Sequence, residues 1–224
     1  MATLGIVCGM ESEARTLGPV RDHARVIVAI TGGQAARVER AARMFLNEGC
    51  IRMVSWGIAG GLDPRLAAGE VVIPSGVATI SDERFDLDRH VALGREAAET
   101  APQAGVLGLD TPAMTAVEKG ALFAASGAAI ADMETHHLAR VGAAYAVDTL
   151  AIRAVADPAE RDLPAYLRDV IDAHGNVRLG RVLAGVARQP GTLASLVRLQ
   201  REQGRALAAL RTVAESGVMA RLLA

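Results

Sequence analysis

The chain has 224 residues and a net charge of −1, so no overall field would draw it to a nucleic acid. Aromatic residues make up 3% of it, which also argues against a stacking platform for single-stranded bases. No apolar run is long enough for a membrane span, and the N-terminus is predicted to be a first strand rather than a signal peptide. Cys8 and Cys50 adjoin apolar runs, as buried thiols in a reducing cytosol do, so we expect a cytoplasmic protein.

Short apolar runs alternate with helix-like segments along the chain. The pattern predicts strands at residues 4–8, 25–30, 52–56 and 105–109, one or two strands within residues 69–80, and helices at residues 35–47 and 115–125. Residues 57–62 are Gly-rich and are predicted to form a loop after the third strand. Residues 81–103 are predicted to be an irregular loop with one helical turn.

The stretch from Ile130 to Pro158 carries two acids that each follow an apolar run. One strand ends before the turn that contains Glu134, a helix follows to about residue 141, and a second strand from about residue 149 ends at Asp157. We predict that these strands are neighbours in the sheet. Glu134 and Asp157 would then lie at the edge where open α/β sheets bind their ligands.

The remaining residues are predicted to be helical, over residues 165–173, residues 177–188 and a long segment from about residue 193 to the C-terminus. Strands that alternate with helices indicate a sheet covered on both faces. We therefore predict an α/β fold in one domain, residues 1–224, with a central, mixed but mostly parallel sheet flanked by helices. The C-terminal helices from about residue 163 would belong to the same domain.

Glu13 follows the first strand and is a third candidate acid. Carboxylates gathered in one cleft raise each other's pKa, so one can carry a proton to a leaving group while an ionised one holds hydroxyl groups or polarises water. Cleavage of a glycosidic or N-glycosidic bond needs this combination. The spacing alone leaves a second interpretation open, in which each acid caps a helix or lies on a surface turn.

Two glycine clusters, Gly32-Gly33 and residues 57–61, present backbone without side chains. Such backbone at the start of a helix can hold an anion, so both clusters are candidate phosphate sites. Neither matches a P-loop or a dinucleotide fingerprint, and a simple turn stays open as the alternative.

Four segments, in this order, resemble one superfamily. They are GIVCGMESE at residues 5–13, GIAGGL at 57–62 followed by GEVV at 69–72, DME at 132–134 and RAVAD at 153–157. The chain resembles the purine nucleoside phosphorylase and nucleosidase superfamily, which includes the methylthioadenosine/S-adenosylhomocysteine nucleosidases. The resemblance implies a homo-oligomeric enzyme that releases a purine base, adenine, from a small-molecule nucleoside. It implies no organic cofactor and no metal ion, with phosphate as a co-substrate if the reaction is phosphorolysis.

Carried over position by position, the resemblance implies that Asp157 is the general acid that protonates the departing purine at N7. Met133 and Glu134 correspond to the residues that pack under the ribose and hold its hydroxyl groups. The loop with Ala59 and Gly60 corresponds to the segment beside the ribose and the nucleophile.

The positions that correspond to the superfamily's nucleophile site match less completely. Glu13 corresponds to the carboxylate that activates the attacking water in the nucleosidases. Ile58 stands where phosphorylases of the superfamily often carry a Ser or Thr that binds phosphate. Phosphorolysis and hydrolysis therefore both stay open, with Gly32 and Gly33 as a substitute phosphate site. The usual stacking aromatic is missing around residues 110–114, which predicts an aliphatic contact to the base through Met114 or Leu109.

Within the superfamily, WGIAGGLDP at residues 56–64, METHH at residues 133–137 and the helical tail are most similar to the hopanoid-associated phosphorylases. This similarity implies adenosylhopane, an adenosine with a triterpenoid at C5′, as the substrate, and hopanoid biosynthesis as the setting. A methylthioadenosine/S-adenosylhomocysteine nucleosidase and a catalytically inactive nucleoside-binding protein are the alternatives.

The helix from about residue 193 places Arg198, Arg201 and Arg205 on one side and leucines on another. A basic amphipathic helix can lie on an anionic membrane, so peripheral membrane contact is a hypothesis, as is a lipid-linked substrate. Packing of this helix on the domain is the alternative.

Three further side chains carry structural expectations. Arg153 lies in an apolar strand and is predicted to brace Asp132, Glu134 or another acid, because a buried arginine needs a partner. Lys119 is predicted to be exposed on its helix, and Trp56 is predicted to pack in the core.

His136 and His137 are adjacent in the sequence. A helix directs adjacent side chains about 100° apart, so we predict that the two imidazoles share no metal ion.

Overall fold

A computed structural model describes residues 3–100, 104–164 and 193–224. Its strands are β1 (Thr3–Cys8), β2 (Val26–Ile30), β3 (Cys50–Gly61), β4 (Val71–Val72), β5 (Gly76–Thr79), β6 (Arg84–Asp86), β7 (Gly105–Gly108), β8 (Ile130–Asp132) and β9 (Asp148–Asp157). Its helices are α1 (Glu11–Ala14), which continues into a 3-10 segment (Arg15–Asp22), α2 (Ala35–Asn47), α3 (His90–Leu93), α4 (Arg95–Thr100), α5 (Ala116–Ser126), α6 (Thr135–Ala144), α7 (Leu193–Glu215) and α8 (Val218–Leu222).

The strands form one sheet in the order β2-β1-β3-β8-β7-β5-β6, with β9 paired to β3 and β4 paired to β9. β1 is parallel to β2 and β3, β3 is parallel to β9, and β7 is parallel to β5 and β8. β8 meets the end of β3 antiparallel, and β4 and β6 are antiparallel to their partners. The predicted α/β fold with a mixed, mostly parallel sheet is confirmed.

Local sequence explains where the helices begin and end. α2 follows Gly32 and Gly33, whose φ angles of 66° and 69° suit glycine, and it buries Val38, Ala41, Ala42 and Phe45 at helical spacing. α5 starts where the Thr115 side chain accepts a hydrogen bond from the Glu118 N–H, and it ends at Gly127 with a φ of 66°.

Two predicted boundaries were wrong. The glycine run at residues 57–61 is not a loop, because β3 continues through it to Gly61 while pairing with β9 and then with β8. Partner strands on both sides outweigh the weak strand preference of glycine. Within residues 81–100, β6, α3 and α4 form where a loop with one helical turn was predicted.

The C-terminal tail packs on the domain in its second half. Ala206 and Leu210 of α7 are fully buried in the same apolar cluster as Ile152, whereas Val197 is 41% exposed. Among the described residues, no helix combines the length and apolar character needed to cross a bilayer. The helices predicted at residues 165–173 and 177–188 lie outside the described residues, and the assignment of the whole chain to one domain stays a prediction.

Candidate active site

The three predicted acids lie at the ends of different strands, around the second half of β3. Glu134 lies in the turn between β8 and α6, and Asp157 is the last residue of β9. The prediction that β8 and β9 are neighbours was wrong, because β3 lies between them and its Gly60 pairs with both Ala131 and Asp157. The two acids therefore follow the strands on either side of β3 rather than two adjacent strands.

Because Gly57 and Gly60 of β3 have no side chains, they leave room for the acids beside them. A Cβ atom at Gly57 would lie 2.5 Å from Oε1 of Glu13 and 2.7 Å from Nη1 of Arg153. One at Gly60 would lie 3.5 Å from Oδ2 of Asp157. The predicted Ala59–Gly60 segment thus lies beside the acids, as part of a strand rather than a loop.

Glu13 is held by backbone N–H groups. It lies in α1 with 2% of its surface exposed, its Oε2 accepts from Met10 N at 2.7 Å, and its Oε1 accepts from Ile58 N at 2.8 Å. Burial raises the pKa of Glu13, against the opposing effect of Arg153 and these donors. The N–H of Ile58, at the predicted phosphate position, is therefore already bonded to a carboxylate.

Arg153 braces the acidic turn after β8, as predicted. Its Nε lies 2.7 Å from Oδ2 of Asp132, and its Nη2 lies 2.9 Å from Oε2 of Glu134 and 2.5 Å from the Ser55 hydroxyl. Asp132 Oδ1 also accepts from the N–H of Thr135 at 3.0 Å and so holds the turn that leads into α6. Asp132 is therefore a structural acid, and Arg153 fixes the orientation of Glu134.

Burial raises the pKa of Glu134 to about 7, although Arg153 opposes the change. Its Oε1 points towards Glu13, since a Cβ atom at Gly9 would lie 2.7 Å from Oε1 of Glu134 and 3.2 Å from Oε2 of Glu13. Both carboxylates therefore converge on the same point above Gly9.

The predicted Gly32-Gly33 turn adjoins this point. A Cβ atom at Gly33 would lie 3.2 Å from Cε of Met133 and 3.5 Å from Oε1 of Glu134. Gly32 N donates to the carbonyl of Gly9 at 2.9 Å, so this turn is tied to the end of β1. The structure thus brings Gly33 together with Met133, Glu134 and Glu13.

Asp157 has a partner that the sequence reasoning missed. Lys119, predicted to be exposed, is fully buried, and its Nζ lies 2.6 Å from Oδ2 of Asp157. Nζ also donates to the carbonyls of Pro158 at 3.1 Å and Arg161 at 3.0 Å. One signal was available, since Lys119 is the single lysine among the 24 lysine and arginine residues of the chain. A compact ammonium with three donors suits this cage of oxygens better than a planar guanidinium.

Burial raises the pKa of Asp157 above its ordinary value, and the charge and hydrogen bond of Lys119 act against that rise. The Asp157 side chain keeps 14% of its surface exposed, whereas Lys119 keeps none. Asp157 is therefore a partly desolvated acid with one open side.

Met114 lies in the loop after β7, where it contacts the loop after β9. Its N–H donates to Oε2 of Glu118 at 2.8 Å, and its carbonyl accepts from Leu163 N at 2.7 Å. Only 5% of Met114 is exposed, so its contact with a base stays a prediction. Trp56 is fully buried, as predicted, and donates from Nε1 to the Thr16 hydroxyl at 2.8 Å.

The prediction for the two histidines was wrong in its geometry. The rings of His136 and His137 lie 3.7 Å apart, and the Nε2 atoms of both approach Oδ1 of Asp110, at 3.5 Å and 3.2 Å. The Cα–Cβ bonds of the two residues diverge on the helix, but rotation about the side-chain bonds brings the two rings together.

Solved structures with the same fold include nucleosidases and a futalosine hydrolase. A methylthioadenosine/S-adenosylhomocysteine nucleosidase from Neisseria meningitidis, in complex with methylthio-immucillin-A, is 16% identical with a TM-score of 0.70, over 99% of this chain and 100% of that one. The futalosine hydrolase of Helicobacter pylori is 13% identical with a TM-score of 0.64, over 96% of this chain and 98% of that one. A variant of the Helicobacter pylori nucleosidase with 5′-methylthioadenosine in its active site is 14% identical with a TM-score of 0.64, over 84% of this chain and 99% of that one.

No protein-family profile matches the sequence, and a comparison with curated proteins also gives no match. At these identities, the structural similarity establishes the fold and leaves the chemistry to be argued from the residues. The chain has the fold of methylthioadenosine/S-adenosylhomocysteine nucleosidases and of a futalosine hydrolase.

Proposed function

We propose that the protein is an enzyme that hydrolyses the N-glycosidic bond of a purine nucleoside and releases adenine. The observation that carries the proposal is that three acids, beside the glycines of β3 and the glycine that follows β1, are each held by a different partner. Glu13 rests on backbone N–H groups, Glu134 on Arg153, and Asp157 on Lys119. Three differently held carboxylates suit three different roles in one reaction.

In the proposed reaction, Asp157 donates its proton to the purine at N7 as the bond between C1′ and N9 breaks. The bonding electrons leave with the base, and C1′ becomes cationic. Glu134 holds the ribose hydroxyl groups and places negative charge near the developing cation, with Met133 packed under the sugar. A water molecule adds to C1′ and gives its proton to Glu13, so the products are adenine and a free ribose derivative.

Two features support water rather than phosphate as the nucleophile. The N–H of Ile58 is bonded to Glu13, and the guanidinium of Arg153 pairs with Asp132 and Glu134. Glu13 and Glu134 also converge on the same point above Gly9, and their negative charge would repel a phosphate dianion. No observation of this kind favours a phosphate site at the Gly32-Gly33 turn.

For the 5′ substituent we propose a long apolar group, as in adenosylhopane, on the basis of the sequence similarity given above. A methylthioadenosine/S-adenosylhomocysteine nucleosidase is the second candidate, favoured by the fold comparison. Both candidates share the chemistry at C1′ and differ in the pocket for the 5′ group.

The test is adenine release by the purified protein from adenosines with a methylthio group, a homocysteine thioether or a long apolar chain at C5′. The apolar derivative should be turned over with the highest kcat/KM. The highest kcat/KM on the methylthio compound would replace adenosylhopane with the second candidate. Binding of all three without release of adenine would instead identify an inactive nucleoside-binding protein.

We also propose a homo-oligomer and peripheral membrane contact for this protein. The first half of α7 suits the second proposal, because Val197 is 41% exposed beside the exposed Arg198 and Arg201. Removing the whole helix would expose the core around Leu210, so the sharper variant is Arg198→Glu with Arg201→Glu. This variant should lose co-sedimentation with anionic liposomes, and unchanged co-sedimentation would refute membrane contact by this helix.

A further inference from the structure

A second cluster of polar side chains lies outside the three acids, at the carboxyl end of β7. Asp110 follows this strand, and His136 and His137 belong to the first turn of α6. The Asp110 side chain is 81% exposed, whereas the two histidine side chains are 4% and 7% exposed. One solvent-facing carboxylate therefore covers two buried imidazoles.

The donor atoms have the spacing of metal ligands. The Nε2 atoms of His136 and His137 lie 3.5 Å and 3.2 Å from the same oxygen of Asp110, and one donor atom from each of the three residues falls within 4.8 Å of the others. Ligands that each lie about 2.1 Å from a tetrahedral ion are about 3.4 Å apart, because they occupy the corners of a tetrahedron around it. The two measured spacings bracket that value.

The cluster opens into a cleft of about 510 Å³, which Thr79, Glu83, Gly108 and Arg140 also line. Gly108 makes room for one imidazole, since a Cβ atom there would lie 2.4 Å from Nδ1 of His136. That Nδ1 is buried and has no hydrogen-bond partner among the described residues. With its proton on Nδ1, a neutral imidazole has its free lone pair on Nε2, the atom that approaches Asp110.

We propose that Asp110, His136 and His137 bind a divalent transition-metal ion, with zinc as the best fit. Two imidazoles and one carboxylate match the ligands that zinc accepts, and three protein ligands leave a fourth position for water. The ion would join the loop after β7, which leads to Met114, to the helix that begins directly after Glu134. It would therefore fix two segments that border the proposed active site without touching the three acids.

Arg140 acts against the ion in this arrangement. Its Nη1 lies 3.3 Å from Nδ1 of His137, and its Nε and Nη2 bond the carboxylate of Glu83 at 3.2 Å and 2.5 Å. A neutral imidazole that binds a metal through Nε2 carries its proton on Nδ1, so it cannot accept from Arg140. The ion thus displaces the Nη1 contact, and removal of the Arg140 cation should tighten metal binding.

The test is calorimetric titration of the tag-free, chelator-treated full chain with Zn²⁺, with Co²⁺ absorption as the spectroscopic readout. The wild type should bind one ion per chain, and Co²⁺ should give the strong visible absorption of four-coordinate cobalt. Zinc at about a hundred times its dissociation constant should raise Tm by roughly 5–10 °C.

Asp110→Ala and His137→Gln should each weaken zinc binding at least tenfold, whereas Arg140→Met should strengthen it. The matched control is Asp22→Asn with His23→Gln, which changes a neighbouring exposed Asp and His just before β2, at the other end of the strand order from β5 and β6. This variant should bind zinc as the wild type does. Absence of binding, equal binding by Asp110→Ala and wild type, or weaker binding by Arg140→Met would each overturn the proposal. Because these readouts follow binding rather than turnover, their failure would leave the proposed reaction untouched.

Discussion

The ammonium of Lys119 lies 2.6 Å from the carboxylate of Asp157 and is itself fully buried. Burial raises the pKa of Asp157, and Lys119 limits the rise. A general acid works best when its pKa lies near the operating pH, so the two effects together set how much of Asp157 is protonated. Lys119 is thus a positioning residue that acts through Asp157.

Replacing Lys119 with methionine should raise the pKa of Asp157 further, because the effect that lowers it is lost. The protonated form of Asp157 is the active one, so the alkaline limb of the kcat/KM profile should move to higher pH while kcat falls. The variant should also lose about 3–5 kcal/mol of stability, the usual result of breaking a buried ion pair. Arg84→Met, which removes a cation with 77% side-chain exposure, should leave the limb in place. If the alkaline limb of Lys119→Met remained at the wild-type pH or moved to lower pH, Lys119 would not lower the pKa of Asp157.

Asp157→Asn separates leaving-group protonation from the other steps. Adenine release should fall about 100- to 10,000-fold, since asparagine cannot give the base a proton. Cleavage of 4-nitrophenyl riboside should fall far less, because nitrophenolate leaves without protonation. Glu13→Gln is the matched variant and should slow both substrates, as both need an activated water. Equal losses on the two substrates in Asp157→Asn would show that Asp157 is not the acid.

Glu134 makes stability depend on pH. Its pKa is raised from 4.5 to about 7 in the folded protein. The stability that Glu134 contributes to the folded state is therefore fully present below pH 4.5 and is lost as the pH rises through 7. A tenfold change in the protonation equilibrium is worth roughly 1.4 kcal/mol, so the loss amounts to about 3 kcal/mol. Glu134→Gln lacks this loss, so its stability relative to wild type should increase between pH 5 and pH 8.

Thermal unfolding of wild type and Glu134→Gln at several pH values measures this difference. The relative Tm of the variant should rise by roughly 6–12 °C over this range. His136 and His137, whose pKa values are lowered by burial, contribute in the opposite direction but equally in both proteins. A relative Tm that is flat or falls with pH would mean that Glu134 is ionised throughout.

Gly57→Ala tests the space that β3 leaves for the acids. The added methyl would lie 2.5 Å from Oε1 of Glu13 and 2.7 Å from Nη1 of Arg153, so both side chains must shift. We expect a loss of about 1–3 kcal/mol in the free energy of unfolding and a strong fall in kcat/KM. Gly120→Ala in α5 is the control, because nothing lies within 4 Å of the added methyl, and it should be neutral or slightly stabilising. Full activity in Gly57→Ala would contradict the tight fit.

Much of the fold and part of the site follow from local pattern. Alternating apolar runs predicted the central strands and α2, and an arginine inside an apolar strand predicted the ion pairs of Arg153 with Asp132 and Glu134. These features depend on periodicity and on the cost of an unpaired buried charge, which a single sequence displays.

The features that were predicted wrongly depend on contacts between distant segments of the chain. Lys119 is buried because the end of β9 and the loop after it pack over α5, a contact that helix periodicity does not report. The glycines of β3 form a strand because β8 and β9 supply partners. The imidazoles of His136 and His137 both contact Asp110, which comes from the end of another strand. Each outcome is set by tertiary pairing, which local propensity does not encode.

The most direct test of the proposed hydrolysis is product analysis at C1′. The protein is incubated with a 5′-substituted adenosine that it turns over, with and without phosphate, and the sugar product is identified by mass spectrometry. We predict adenine and a free ribose derivative, formed at a rate that phosphate does not change. A ribose 1-phosphate product, or adenine release that requires phosphate, would contradict hydrolysis.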